Sequence, residues 1–165
     1  MAHITLDGVP AQTSGSIPQP GSKAPDFNLT ATDLSNKTLD DYKGQKLILN
    51  IFPSVNTGIC SAAVRKFNEE AANLPDTTVL CISRDLPFSQ ANFCAAEGIE
   101  NVVMLSDFKT AQFGKDYGLL ITSGAFDGLL SRVVLIINES GIITYGEQVP
   151  EIGQEPDYQA ALKNV

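Results

Sequence analysis

A chain of 165 residues, 43% hydrophobic and 18% charged, has the size and balance of one folded domain, spanning residues 1–165. Its formal net charge of −8 argues against nucleic acid and anionic membrane surfaces as partners, because phosphate recognition needs clustered Lys and Arg. Apolar runs such as 47–52 and 133–137 suit strands and are too short to span a bilayer.

Residues 4–13 predict a β-hairpin, since Asp7-Gly8 supplies the positive φ of a tight turn. Gly, Ser and Pro crowd 14–22, which reads as a loop, followed by an extended segment over 24–30 and a polar turn over 33–37. An apolar strand over 46–52 leads into a helix over 61–74, with Val64, Phe67, Ala71 and Leu74 on one face. A strand over 77–83 precedes a helix over 87–97, opened by Pro87 and closed by Gly98. A short strand (102–105), a short helix (110–117), two strands (132–138 and 142–149) joined by Glu139-Ser-Gly141, and a closing helix (156–164) complete the chain. Strands alternating with helices imply parallel pairing, and the final hairpin adds an antiparallel edge. The expected class is α/β: a thioredoxin-like mixed sheet flanked by helices, with an N-terminal β-hairpin extension.

The only histidine is His3, so a multi-histidine metal site is excluded and no Cys-His pair is expected. Three cysteines at 60, 81 and 94 contain no Cys-x-x-Cys pair. They form a sparse, odd set unlike an extracellular disulfide framework, and the first residues lack the pattern of a signal peptide. A reducing, cytoplasmic setting is expected.

Cys60 falls where a strand has ended and a helix takes over, the usual place for a site in an open α/β sheet. Free N–H groups and the positive end of the helix dipole favour thiolate there. A buried cysteine acting as a small hydrophobe fits the same local pattern. Thr57 stands where a Cys-x-x-Cys oxidoreductase has its first cysteine; its hydroxyl can bond sulfur or a substrate oxygen but cannot form a disulfide. Pro53 restricts the same turn. Mid-strand Cys81 reads as buried and inert, because both faces of a central strand are covered.

Pro53-Ser-Val-Asn-Thr57-Gly-Ile-Cys60 resembles the peroxiredoxin motif P-x-x-x-T-x-x-C. Gly21-Ser-Lys-Ala-Pro-Asp-Phe27 is similar to that family's opening segment. The N-terminal hairpin, Val64-Arg-Lys-Phe67-Asn, Leu80-Cys-Ile-Ser83, Asp85-Leu-Pro87-Phe88 and Phe93-Cys94 resemble its bacterial thiol peroxidase branch, an atypical 2-Cys group, across essentially the whole chain. The resemblance implies that Cys60 is the peroxidatic cysteine, that Thr57 holds thiolate and peroxide, and that Arg132 is the supporting guanidinium. It makes Cys94 the resolving cysteine, condensing with a Cys60 sulfenic acid within one chain. It further implies hydrogen peroxide and alkyl hydroperoxides as substrates, thioredoxin as reductant, a homodimer, and no cofactor. An apolar surround from Phe52, Phe88 or Phe93 would favour alkyl peroxides. A redox-sensing protein and an idle thioredoxin-like binding module are the competing readings; repeated turnover with thioredoxin marks a peroxidase, whereas a sensor oxidises once per thiol and stops.

Overall fold

The structure is a computed structural model and describes residues 2–165. The chain opens with β1 (His3–Leu6) and β2 (Val9–Gln12), a hairpin whose turn residues Asp7 and Gly8 both take positive φ, 51° and 78°. That is the twist-matched two-residue turn the Asp-Gly pair predicts. Next come β3 (Asn28–Ala31), β4 (Asn36–Thr38), a 3-10 turn (Leu39–Tyr42), β5 (Lys46–Ile51), α1 (Gly58–Ala71) and β6 (Thr77–Ser83). The remainder is α2 (Pro87–Glu97), β7 (Val103–Ser106), α3 (Gln112–Asp116), β8 (Val133–Ile137), β9 (Ile143–Gln148) and α4 (Tyr158–Leu162).

Seven strands form one sheet in the order β4-β3-β7-β6-β5-β8-β9. The β5–β6 and β6–β7 pairs are parallel; β8 joins β5 antiparallel, and β9 and β3 extend the sheet antiparallel at either side. The mixed sheet flanked by helices, with its two-stranded extension, is the thioredoxin-like architecture expected from the sequence.

Side-chain alternation along the central strands builds two core layers. Leu47, Leu49 and Ile51 of β5 join Leu80, Ile82, Leu135, Phe113 and Tyr117 on one face. Ile48 joins Val79, Cys81, Val134 and Ile136 on the other, where α1 lays Cys60, Val64 and Phe67. Burial on both faces explains why β5 and β8 read as continuous apolar runs rather than alternating ones.

Three expectations need correction. Helix α1 begins at Gly58, not at 61, because Thr57 already has the extended boundary conformation (φ −99°, ψ 144°). Cys60 therefore lies inside the first helical turn, not before it. The polar turn expected over 33–37 is present at 32–34 but gives way at Asn36 to strand β4, a short edge strand of polar residues that carries no apolar alternation to betray it. Helices α3 and α4 are only five residues each, shorter than their sequence patterns. Helix α2, by contrast, is bounded as predicted: Pro87 occupies its first turn, and Gly98 closes it in the left-handed region (φ 66°). Among the described residues no helix is long and apolar enough to cross a membrane.

Candidate active site

The connection from β5 to α1 carries Pro53, Thr57 and Cys60 to the carboxyl end of the central strands. Phe52 and Pro53 are buried, Thr57 is half-buried, and Cys60 is wholly enclosed. The Cys60 side chain belongs to the same layer as Phe52, Val55, Val64 and Val134.

Directly before β8, Arg132 is 2% exposed. A solvated charge at a strand end is therefore not what this arginine is. Its Nε donates to the Ile152 carbonyl at 2.8 Å and its Nη2 donates to Cys60 Sγ at 3.3 Å. Its Nη1 is buried with no partner, and neither ion pair among the described residues includes it. A buried guanidinium cannot be neutralised by losing a proton, so its cost of burial must be met by a nearby anion or strong acceptor. Cys60 sulfur is the group it reaches. At an effective dielectric of 20, a unit positive charge 3.3 Å from a thiolate attracts it by about 5 kcal/mol before either desolvation is counted. The helix terminus adds about 0.3–1 kcal/mol. An ionised sulfur at this position would have the Arg132 guanidinium as its direct hydrogen-bond donor.

Thr57 stands at the helix boundary, but its hydroxyl donates to the Ser54 carbonyl at 3.0 Å and does not cap the helix. The direct hold on sulfur expected of it is not made in this arrangement; it shapes the turn instead. Cys94 lies on α2, half-buried, packed with Phe93 against the layer that contains Cys60. Burial pushes its thiol above the ordinary range. All three cysteines are free thiols. Cys81 is fully buried on β6, its sulfur accepting from Asn50 Nδ2 at 3.6 Å, and desolvation pushes its pKa up to about 12. That matches the buried, packed position expected of it. Phe88, expected as a possible wall of the site, is 61% exposed and outside the Cys60 layer.

Two features went unforeseen. Ile152 supplies a backbone carbonyl to Arg132, and no side-chain pattern signals such a role. Asp85 accepts hydrogen bonds from Ser54 Oγ at 2.7 Å and from Val55 N–H at 2.9 Å, tying the Cys60 turn to the start of α2. Asp85 entered the sequence reading only within a segment of family likeness, and its partners lie thirty residues earlier. Among the described residues, no group of three or more His, Cys, Asp or Glu side chains could hold a metal ion.

A thiol enclosed at the head of a helix with a guanidinium against its sulfur, on this sheet, is an arrangement for thiol redox chemistry. Residues 19–162 match the family described as Redoxin, and the chain belongs to it. Over 162 residues it is 50% identical to a thiol peroxidase of Corynebacterium glutamicum, an alignment covering 98% of each chain. A thiol peroxidase of Mycobacterium tuberculosis is also 50% identical, over 98% of this chain and 97% of its own. Within the redoxins the chain is accordingly an oxidoreductase of the thiol peroxidase branch. Among solved structures, a peroxiredoxin-like protein from Aquifex aeolicus superposes with a TM-score of 0.93 at 35% identity, covering 99% of this chain and 95% of that one. A Chromobacterium violaceum thiol peroxidase superposes at 0.92 over the same shares; at 21% identity it speaks to the fold alone.

Proposed function

We propose that this chain reduces hydrogen peroxide and alkyl hydroperoxides through a Cys60 thiolate. The observation that carries the reading is the Arg132 Nη2–Cys60 Sγ contact of 3.3 Å, made by a buried cation with no carboxylate partner. The sulfur attacks the terminal peroxide oxygen, the O–O bond breaks, and water or an alcohol leaves while Cys60 becomes a sulfenic acid. Arg132 offers its spare Nη1 donor to the oxygen that gains charge. Thr57 can turn its hydroxyl from Ser54 toward the incoming peroxide, and Pro53 walls the turn. The apolar neighbours Phe52 and Phe93 favour an alkyl substituent on the peroxide.

Cys94 then condenses with the sulfenic acid, forming a Cys60–Cys94 disulfide and releasing water. A thioredoxin dithiol reduces that disulfide and restores both thiols. Because Cys60 is enclosed in the first turn of α1 and Cys94 sits on α2, closure requires local movement of both helices. We place the chain as one domain over 1–165, working as a homodimer in the cytoplasm without cofactor, nucleic acid or membrane partner. Antioxidant defence is the role that follows.

The test is thioredoxin-coupled peroxide consumption. Cys60→Ser should abolish turnover, Cys94→Ser should abolish thioredoxin-supported turnover while leaving one oxidation per chain, and Cys81→Ser should remain near wild type. Multiple turnover by Cys60→Ser would overturn the reading. A redox sensor that oxidises once and stops would show no catalytic consumption in the wild type.

A further inference from the structure

Asp85 belongs to neither cysteine, yet it stands between the elements that carry them. Its carboxylate accepts from Ser54 Oγ (2.7 Å), Val55 N–H (2.9 Å) and Ser83 Oγ (2.6 Å). On one side the chain of bonds continues into the Cys60 turn. Ser54 Oγ receives Asn56 N–H at 3.1 Å, and the Ser54 carbonyl receives the Thr57 N–H and hydroxyl. The Thr57 carbonyl then takes Ser61 N–H at 3.0 Å, across the first turn of α1. On the other side, the buried Ser83 hydroxyl receives Gln90 Nε2 at 3.1 Å, and the same amide donates to the Leu105 carbonyl at 2.9 Å. Gln90 is itself fully buried in α2, one helical turn before Cys94, and its Oε1 has no partner. A continuous hydrogen-bonded path thus runs from the Cys60 turn to the Cys94 helix, with one carboxylate at its centre.

We propose that Asp85 is a positioning residue that sets the balance between the two halves of the cycle: it holds the Cys60 turn in the peroxide-reducing arrangement and releases it for disulfide closure. This rests on the roles proposed above for Cys60 and Cys94. Three donors converge on two carboxylate oxygens, and hydrogen bonds to an ionised acceptor are roughly twice as strong as neutral ones. An asparagine there offers one acceptor oxygen in place of two, so at least one bond must reverse or break and all of them lose their charge assistance. With the turn released, Cys60 leaves the Arg132 contact more often. Oxidation by peroxide slows, while the sulfenic acid meets the Cys94 thiol sooner. Over-oxidation, in which the sulfenic acid consumes a second peroxide and becomes a sulfinic acid with release of water or alcohol, then declines.

The experiment uses reduced full-length protein mixed rapidly with hydrogen peroxide and quenched for mass spectrometry. Sulfenic acid formation at Cys60 is timed in the Cys94→Ser background; disulfide closure and sulfinic acid are timed with Cys94 present. Asp85→Asn should slow the first step by roughly 10–150-fold, the weight of one hydrogen bond to a charged group. It should leave closure as fast or faster and lower the sulfinic fraction at high peroxide. Ser54→Ala, which keeps the backbone donor and Ser83, should act in the same direction more weakly and combine non-additively with Asp85→Asn. It also serves if Asp85→Asn fails to fold. An unchanged ratio of the two rates overturns the proposal, as does an equal loss in both, which is what a purely structural role predicts. If Cys60 forms no sulfenic acid in the Cys94→Ser background with Asp85 and Ser54 intact, the peroxidase reading itself fails, a result distinguishable from the others because it needs no substitution at Asp85 or Ser54.

Discussion

At Arg132 the shape of the side chain matters as much as its charge. Its fork reaches the Ile152 carbonyl with Nε and Cys60 sulfur with Nη2. Lysine brings one ammonium on a flexible stem and cannot hold both contacts in fixed relation. Arg132→Lys should therefore slow oxidation of Cys60 by roughly 10–150-fold, the weight of one hydrogen bond to a charged group, and Arg132→Met by more. Stopped-flow oxidation in the Cys94→Ser background measures both. Cys81 makes a prediction of opposite kind. Its folded pKa is raised to about 12, so between the ordinary thiol value of 9.0 and that point the folded state holds a proton that the unfolded state has lost. Stability contributed by the protonated thiol is complete below pH 9 and is lost as pH rises through this window. The wild type should lose stability more steeply than Cys81→Ala above pH 9, by up to about 1.4 kcal/mol per pH unit. Urea unfolding at a series of alkaline pH values, with the tyrosine contribution common to both proteins, reads the difference.

The elements that carry the cysteines should loosen together on oxidation. The first turn of α1 holds Cys60 and the last turn of α2 holds Cys94, whose carbonyl also accepts the Ile99 N–H that closes the helix. Forming the disulfide should raise amide exchange in 58–61 and in 91–97 while the α1 interior around Phe67 stays protected. Unchanged exchange at both ends after oxidation would contradict it. These same elements show what a one-dimensional reading can reach. Helix α2 was legible because its boundary chemistry, Pro87 and Gly98, is local. The start of α1 was misplaced because Gly58 and Ile59 carry no helix signal and Thr57 makes no side-chain cap. Cys60 stood out by its place at a strand-to-helix turn, Thr57 and Pro53 by the family motif they resemble, and Arg132 by family likeness alone. The burial of Arg132 and its Ile152 support were not legible, because both depend on segments brought together only by the sheet. Asp85 lay in plain view before Pro87, but its partners Ser54 and Val55 lie on a different strand connection. The stretch from Tyr117 to Arg132 has almost no regular structure, only isolated bridges such as Leu120 with Leu130, and periodicity has nothing to report there.

Across the whole molecule, the N-terminal segment is seated by close contacts as well as by strand pairing. At Gly118, φ is +68° and an added Cβ would stand 2.2 Å from the Ser16 carbonyl oxygen. Gly118→Ala should therefore cost about 2 kcal/mol or more, combining an unfavourable backbone region with a backbone clash that cannot swing aside. A lowered urea midpoint with an unchanged slope is the expected result. A wild-type midpoint would show that the two loops separate freely.

The hairpin also ties the ends of the chain into one order of events. Ile4 and Ala11 pack on Ile121 and Ile152, and Thr5 bonds the Glu151 side chain across a separation of 146 residues. Thr5 also exchanges backbone hydrogen bonds with Pro150 and Ile152, the latter being the residue whose carbonyl steadies Arg132. At about 5–20 residues per second, the ribosome finishes the seat roughly 7–30 s after the hairpin has emerged. During that interval the hairpin's apolar face lacks Ile152, and Arg132, once made, has no fixed support until Ile152 follows it. The thiol is therefore made long before the guanidinium that contacts it and the carbonyl that steadies that guanidinium, and only a chain whose last strand and tail have been synthesised can complete the arrangement.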